Sequence, residues 1–124
     1  MLYNESLTKN IIGAAIEVHK TLRPGLLESA YQACLARELS LMNIPFEQEL
    51  NLPVEYKGVK VDCGYRIDFV VDKSTVVELK AVAEILPVHK AQLLTYLKLT
   101  GIKTGLLINF NVPILTRGIT RMVN

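Results

Sequence analysis

The sequence predicts an α/β domain in which helices flank a central mixed β-sheet. Two stretches with helical periodicity come first, several stretches with strand-like alternation follow, and a third helical stretch separates the last strands. Strands joined across a helix pair in parallel, whereas strands joined by turns pair antiparallel, so the sheet is expected to be mixed. No repeat or linker interrupts the 124 residues. We therefore expect one domain over residues 1–124.

The first two predicted elements are amphipathic helices. Apolar side chains recur at helical spacing from Leu7 to Lys20, and Pro24-Gly25 then breaks the chain. The second pattern extends from Leu26 to Met42 and stops at Asn43-Ile44-Pro45. The apolar faces of these helices are expected to cover the sheet.

Strand-like alternation then replaces the helical period. Phe46 to Tyr56 alternates loosely, Lys57-Gly58 is a hairpin signal, and Val59 to Val71 is a long extended stretch. After these, Asp72-Lys73-Ser74 is typical of a turn, and Thr75 to Val82 is strand-like. The sequence therefore predicts three strands in this part of the chain.

The last third of the chain predicts one helix and two strands. Pro87 fits the first turn of a helix that extends to about Thr100, where Gly101 stops it. The apolar run from Thr104 to Phe110 is typical of a strand buried on both faces. Ile114 to Val123 predicts an edge strand, which gives the order α-α-β-β-β-α-β-β.

Composition excludes several classes of protein. Hydrophobic residues make up 50% and charged residues 21%, which excludes intrinsic disorder. No apolar run reaches the ~18 residues of a spanning helix, so we expect no membrane partner. The net charge of +2 is compatible with nucleic-acid binding but does not predict it. Aromatic residues make up only 6%, which argues against an extended surface of stacked bases.

Cysteine usage and the start of the chain favour a cytoplasmic protein. Residues 1–5 have neither a basic nor an apolar signal region. Cys34 and Cys63 form no CxxC pair, so both are expected to be reduced, buried thiols. A zinc site would need these two cysteines to converge with His19 and His89, which is disfavoured because zinc ligands usually come in close pairs.

Two acidic residues are predicted to meet on adjacent strands. Side chains alternate along a strand, so Arg66 and Asp68 share one face of their strand, and Glu78 and Lys80 share one face of the next. If residues 72–74 form a three-residue turn, Asp68 lies directly opposite Glu78, and Arg66 lies opposite Lys80.

Paired carboxylates point to a metal site. Like charges on paired strands repel, and a divalent cation between them would turn that repulsion into coordination. A few hard oxygen ligands suit Mg²⁺ that keeps waters for a phosphate substrate. Lys80 would then orient a water or stabilise negative charge. The alternative is a solvated face on which Arg66 and Lys80 neutralise the acids, because surface ion pairs are common.

The chain resembles a known nuclease superfamily. An Asp followed about ten residues later by Glu-x-Lys is similar to the PD-(D/E)xK signature, although Ile67 stands where the superfamily often has Pro. Gly25–Tyr31 (GLLESAY) resembles the motif that names the GxxExxY family, a branch of that superfamily. Ile12–His19, Gln92–Leu97 and Gly105–Phe110 are also similar to that family, so the resemblance covers nearly the whole chain.

The resemblance implies a restriction-endonuclease-like core and a nuclease that uses Mg²⁺, or Mn²⁺, on DNA or on RNA. The implied metal ligands are Asp68, Glu78 and the backbone carbonyl of Leu79, with Glu28 as a further acidic ligand. The implied role of Lys80 is that of a general base or of a cation that orients water. Asp68, Glu78 and Lys80 are the catalytic residues in this interpretation.

Three residues are candidates for contact with nucleic acid. Gln92 and Tyr96 are spaced i, i+4 and share one helix face. They resemble the QxxxY motif of exonuclease-like branches, which contacts nucleic acid or supports the site. Arg66 is the third candidate. The alternatives are that Gln92 is a surface residue and that Tyr96 packs in the core with its hydroxyl reaching the cleft.

Three further residues have structural alternatives. Glu28 is also the kind of acid that a helix dipole favours in a first turn. Tyr31 is expected in the core, and His19 is expected to be structural rather than part of the site.

Two interpretations of function stay open. The first is a metal-dependent phosphodiesterase acting on DNA, with RNA as the alternative. The second is a catalytically silent nucleic-acid-binding module on the same fold, and the presence of Asp68, Glu78 and Lys80 does not separate it from the first. An interaction subunit with a relic cleft is disfavoured, because a relic site would have no reason to keep all three residues. The low net charge leaves few cations for phosphates in either case. A homodimer would double the basic surface.

Overall fold

The chain folds around a five-stranded mixed sheet with helices on both faces. The computed structural model describes residues 5–124, so the expectation of no secretory signal concerns residues that lie largely outside the described part. The helices are α1 (Glu5–Leu22), α2 (Glu28–Leu41) and α3 (Pro87–Thr100). The strands are β1 (Phe46–Asn51), β2 (Val54–Tyr56), β3 (Val59–Val61), β4 (Arg66–Val71), β5 (Thr75–Lys80), β6 (Thr104–Asn109) and β7 (Ile119–Val123).

The sheet has the predicted mixed character. Its strand order is β1-β4-β5-β6-β7, and β5 and β6, which α3 connects, form its parallel pair. β7 lies at the edge, as predicted, but it begins at Ile119 and not at Ile114. A 3₁₀ turn over Leu115–Gly118 precedes it, and Gly118 packs so closely on β6 that an added Cβ would lie 2.3 Å from the carbonyl oxygen of Asn109.

The two extended stretches predicted on either side of Lys57-Gly58 are each broken in two, which corrects the prediction. The outer parts, β2 and β3, form a separate antiparallel ribbon, and the inner parts, β1 and β4, pair in the main sheet. Pro53 has no N–H to donate to a ladder. Gly64 has a φ of +75° and donates its N–H to Oδ1 of Asp62 at 3.0 Å, which turns the chain back into β4.

The core has one layer on each face of the sheet. On one face, α1 and α2 pack against Val77 and Leu79, and on the other face α3 packs against Val70 and Val76. Because side chains alternate along β5, Glu78 points to the α3 side of the sheet. The sheet therefore carries a charged group into a layer that is otherwise apolar.

Both cysteines are free thiols, but only one of them is partly buried. Cys34 on α2 is half-buried, whereas Cys63, which follows β3, is exposed. The expectation that both thiols are buried is therefore wrong for Cys63, which lies where the ribbon returns to the sheet. None of the helices between residues 5 and 124 is long and apolar enough to cross a bilayer.

Candidate active site

The hairpin of β4 and β5 has the predicted register. The ladder extends from the Val71–Thr75 pair to the Phe69–Val77 pair, so residues 72–74 form the three-residue connection. The first two residues of this connection have φ of 49° and 55°, as in the type I′ turn that matches the twist of a hairpin. The turn length therefore determines which residues of the two strands meet.

Beyond that ladder, two carboxylates replace the backbone pairing. The N–H of Asp68 donates to Oε2 of Glu78 at 2.7 Å, and the N–H of Leu79 donates to Oδ2 of Asp68 at 2.8 Å. Each carboxylate thus accepts an amide from the opposite strand, and hydrogen bonds to an ionised oxygen are the stronger kind. The strands diverge at this point, and the two acids lie in the gap between them.

A local twist of β1 and β4 lies beside this gap. The β1–β4 ladder skips the Glu49–Asp68 position, and Glu49 has a φ of 50°. Ile67 and Val70 both pack on the α3 side, so the alternation along β4 shifts between them. Alternation predicts Arg66 on the face of Asp68 and opposite Lys80, but the residue is exposed. Because the neighbouring Ile67 packs on the α3 side, Arg66 points to the other side of the sheet from Glu78 and Lys80. This corrects the prediction for Arg66.

Burial raises the pKa of both acids. Glu78 is only 4% exposed, and burial, followed by the charge of Asp68, raises its pKa to about 8. The pKa of Asp68 is also raised, first by burial, although the hydrogen bond from Leu79 opposes the shift. Near neutral pH the metal-free pair therefore retains a proton. The positive charge near the pair does not offset the effect of burial, and a bound cation would add to it.

Three further charged side chains act on this pair. Glu28, the first residue of α2, raises the pKa of both Asp68 and Glu78, and Lys80 at the end of β5 lowers both. Glu49 also raises the pKa of Asp68, and no motif in the sequence singles this residue out. The register of β1 against β4 would have identified it, because Glu49 falls opposite Asp68 in that register.

The GxxExxY segment positions Glu28 through the side chain of Tyr31. The hydroxyl of Tyr31 donates to the carbonyl of Arg23 at 2.6 Å and accepts from the N–H of Leu26 at 3.2 Å. Its ring is fully buried, which confirms the prediction of a core residue. Gly25 has a φ of 108°, a conformation that favours glycine. The motif therefore fixes the turn that leads into α2, where Glu28 is the first helical residue.

Tyr96 and Gln92 lie together on α3 beside the acids. Tyr96 is 3% exposed, and burial followed by the charges of Glu78 and Asp68 raises its pKa to about 12. The side chain of Gln92, which is half-buried, lies near enough to oppose this rise in the pKa of Tyr96. Tyr96 therefore packs in the core and its hydroxyl reaches the site, as predicted, while contact with nucleic acid stays a prediction.

The oxygen atoms of this site suit a hard cation. The second carboxylate oxygens of Asp68 and Glu78, Oδ1 and Oε1, accept no hydrogen bond from residues 5–124. The N–H of Leu79 points to β4, and in a strand the carbonyl of the same residue faces the same neighbour. No three His, Cys, Asp or Glu side chains in the described chain converge as a metal cluster. Two carboxylates, one carbonyl and water match the open, oxygen-rich coordination of Mg²⁺.

The two histidines have structural roles. Nε2 of His19 makes a 2.7 Å hydrogen bond with the carbonyl of Val112, and His19 is 5% exposed. Nδ1 of His89 accepts the N–H of Leu86 at 2.9 Å and so caps the start of α3. Neither histidine is part of a zinc site within residues 5–124.

A family comparison agrees with this geometry. A family model described as the PD-(D/E)XK nuclease superfamily matches residues 5–122. The chain therefore belongs to the PD-(D/E)XK nuclease superfamily, and its mixed sheet flanked by helices is the restriction-endonuclease-like core that the resemblance implied. No curated protein and no solved structure matches the chain. The match concerns the superfamily, so membership of the GxxExxY branch stays a prediction.

Proposed function

We propose that this chain is a metal-dependent nuclease that hydrolyses phosphodiester bonds of DNA, with RNA as the alternative substrate. The observation that carries the proposal is the placement of Asp68 and Glu78 in the gap of a diverging hairpin, with the pKa of both raised. A buried acid beside a half-buried one costs stability unless a cation joins them. The need to bind a divalent cation for the reaction would explain why the protein places the two acids together.

The donor set defines the proposed metal site. Asp68 and Glu78 would each give the oxygen that accepts no backbone amide, and the carbonyl of Leu79 would give a third. Glu28, at the start of α2, would join the site through a water, because its side chain does not form one metal cluster with Asp68 and Glu78. When bound, Mg²⁺ or Mn²⁺ would stabilise charge on the phosphoryl oxygens and lower the pKa of a bound water. The oxygen-only donor set favours these ions over zinc.

Lys80 has the proposed role of orienting the attacking water. It follows Glu78 by two residues on β5, and its charge acts on both acids. An ammonium group there donates hydrogen bonds to water and offsets negative charge on the phosphate as the bond to phosphorus forms. In the alternative role of general base, it would act as the neutral amine and accept the proton of that water. Lys80, Asp68 and Glu78 are the proposed catalytic residues.

Two of the three proposed substrate contacts lie on the side of the sheet that carries Glu78. Gln92 and Tyr96 lie beside the acids and offer an amide and a hydroxyl to the nucleic-acid backbone. Arg66 is exposed and points away from this side, so we propose it as a phosphate contact at a distance from the reacting group. With a net charge of +2, one chain offers few cations, and a homodimer would provide a larger basic surface.

The branch and the compartment are also proposed. Gly25 and Tyr31 both shape the turn that leads into α2, where Glu28 is the first residue, which supports assignment to the GxxExxY branch. Cys34 and Cys63 are free thiols, which supports a reducing compartment, and we propose the cytoplasm.

The test is cleavage of a panel of nucleic acids by the wild type and by Asp68→Asn. Supercoiled plasmid, linear duplex, single-stranded DNA and RNA are each incubated with Mg²⁺, with Mn²⁺ and with chelator. We expect cleavage by the wild type that requires metal, and none by Asp68→Asn. A wild type that binds these substrates but cleaves none with either metal would overturn the proposal and favour the catalytically silent binding module.

A further inference from the structure

A groove with uncharged walls opens beside the carboxylates. It has a volume of about 420 Å³ and lies between the outer side of α3 and the chain around the base of the ribbon. Leu52, Val54 and Tyr65 form one wall, and Val88 and Leu99 of α3 lie in the other. This volume falls within the roughly 300–1,000 Å³ of small-ligand sites.

The chemistry of the groove suits a flat, neutral ligand with polar edges. No Asp, Glu, Lys or Arg lines it, so neither a phosphate nor a metal ion would find a charged partner there. Three polar side chains, His89, Gln92 and Thr95, lie along its α3 wall. Nδ1 of His89 already accepts the N–H of Leu86, which leaves Nε2 for a ligand. The Thr95 hydroxyl donates to the carbonyl of Ala91, which leaves its oxygen as an acceptor.

The groove shares two residues with the candidate active site. Gln92 and Tyr96 line it, and Tyr96 also interacts with both Glu78 and Asp68. Tyr65 is near enough for an electrostatic interaction with Tyr96, and its ring is 45% exposed. The carbonyl of Tyr65 accepts the N–H of Leu52 at 2.9 Å, which anchors its backbone at the start of β4. Through Tyr96 the groove is therefore adjacent to the two carboxylates.

We infer that this groove binds one unpaired nucleobase of the substrate strand, with Tyr65 as the stacking platform. The inference rests on the proposed function and adds a substrate class, which is single-stranded or frayed nucleic acid rather than intact duplex. A base inside a duplex presents only its edges, whereas an unpaired base can place its faces between side chains. The low aromatic content of the chain is no obstacle, because one pocket needs one stacking ring.

The test measures binding without metal, so that cleavage cannot interfere. Fluorescence anisotropy in chelator compares a short labelled oligothymidylate, an abasic strand of the same length and a hairpin duplex with the same number of phosphates. The variants are Tyr65→Ala and Tyr65→Phe. The matched control is Tyr56→Ala, which removes a ribbon tyrosine that is 62% exposed and does not line the groove.

We expect the wild type to bind oligothymidylate roughly tenfold or more tightly than the other two probes. Tyr65→Ala should weaken that binding roughly 5- to 100-fold, as the loss of one stacking ring does. Binding of the abasic strand should not change, and Tyr65→Phe and Tyr56→Ala should behave as the wild type.

Two results would overturn the inference. One is equal affinity of the wild type for all three probes, or no binding of any. The other is an equal effect of Tyr65→Ala and Tyr56→Ala. Neither result would bear on metal-dependent cleavage, which the panel assay measures separately. Absence of cleavage by the wild type in that assay would count against the proposed function itself.

Discussion

Asp68 and Glu78 are joined by a hydrogen bond of 2.7 Å from the backbone N–H of the first to Oε2 of the second. This hydrogen bond has two effects. It holds the two acids together, and it stabilises the charged form of Glu78. Burial nevertheless prevails at both acids, and the charge of Asp68 adds to it at Glu78, so the pKa of both acids is raised. The metal-free site is therefore strained in a way that a cation would relieve.

Metal should stabilise the fold through this pair. A cation that binds only the folded state raises the melting temperature by mass action. Millimolar Mg²⁺ or Mn²⁺ should raise Tm by about 2–6 °C over chelator, as measured by differential scanning fluorimetry. Asp68→Asn should raise Tm in chelator and abolish the response to metal, because Asn keeps an oxygen for the N–H of Leu79 and removes one negative charge.

The control for this experiment is Asp72→Asn, which changes an exposed acid in the β4–β5 turn and should keep the full response to metal. Identical melting curves of the wild type in metal and in chelator would count against a metal site at Asp68.

The metal-free protein should lose stability as pH rises from about 4.5 to about 8. The pKa of Glu78 is raised from 4.5 to about 8 in the folded state, so the folded protein binds more protons than the unfolded chain within this window. Its free energy of unfolding therefore falls with rising pH. Urea unfolding in chelator across this window measures the slope, and Glu78→Gln should flatten it. A slope that is the same in both proteins would contradict the raised pKa.

The register of the catalytic hairpin could be predicted from the sequence. The three-residue turn after Val71 places Asp68 and Glu78 at matching positions, and the structure has this register through the Phe69–Val77 pair. The apolar run of β6 and the helix before it likewise predicted a parallel strand pair. Both predictions depend on local signals, namely turn length and hydrophobic period, which a single sequence carries.

The divergence of the hairpin could not be predicted in the same way. It depends on the twist at Glu49 and on amide-to-carboxylate bonds that replace the ladder. The same twist explains why the alternation of side chains along β4 predicted the wrong face for Arg66. The alternation shifts near Asp68, and this shift depends on the pairing of β4 with β1. The ribbon of β2 and β3 was missed because loosely alternating polar residues do not show where a strand leaves the sheet.

Tyr31→Phe should separate two roles of Tyr31, which are the packing of its ring in the core and the positioning of Glu28 by its hydroxyl. The variant keeps the buried ring and loses the hydroxyl that bonds Arg23 and Leu26. The free energy of unfolding should fall by about 1–2 kcal/mol. Metal affinity, measured by titration calorimetry, should fall as well, because Glu28 is no longer held at the start of α2. Glu28→Gln should reproduce the loss of metal affinity without the loss of stability, and unchanged affinity in both variants would exclude Glu28 as a ligand.

Two glycines should respond to alanine in opposite directions. At Gly118 an added Cβ would lie 2.3 Å from the carbonyl oxygen of Asn109, so Gly118→Ala forces the backbone of the 3₁₀ turn away from β6. At Gly13, inside α1, the added Cβ meets nothing within 4 Å. Gly13→Ala should stabilise the protein by about 0.5–1 kcal/mol, and Gly118→Ala should destabilise it by roughly 2 kcal/mol or more. Urea unfolding of the two variants checks the signs, and equal effects would show that this packing is wrong.

The rate of DNA cleavage by Lys80→Ala tests the proposed chemistry most directly. Lys80 is half-buried at the end of β5 beside two acids, so its truncation leaves no cavity in the core. With Mg²⁺ or Mn²⁺, we expect its rate to fall by roughly 10²–10⁴, while Tm and DNA affinity stay close to those of the wild type. Lys98→Ala, at an exposed position of α3, is the control and should cleave normally. Cleavage by Lys80→Ala at the rate of the wild type would contradict the account, because the activity would then not arise from the site of Asp68 and Glu78.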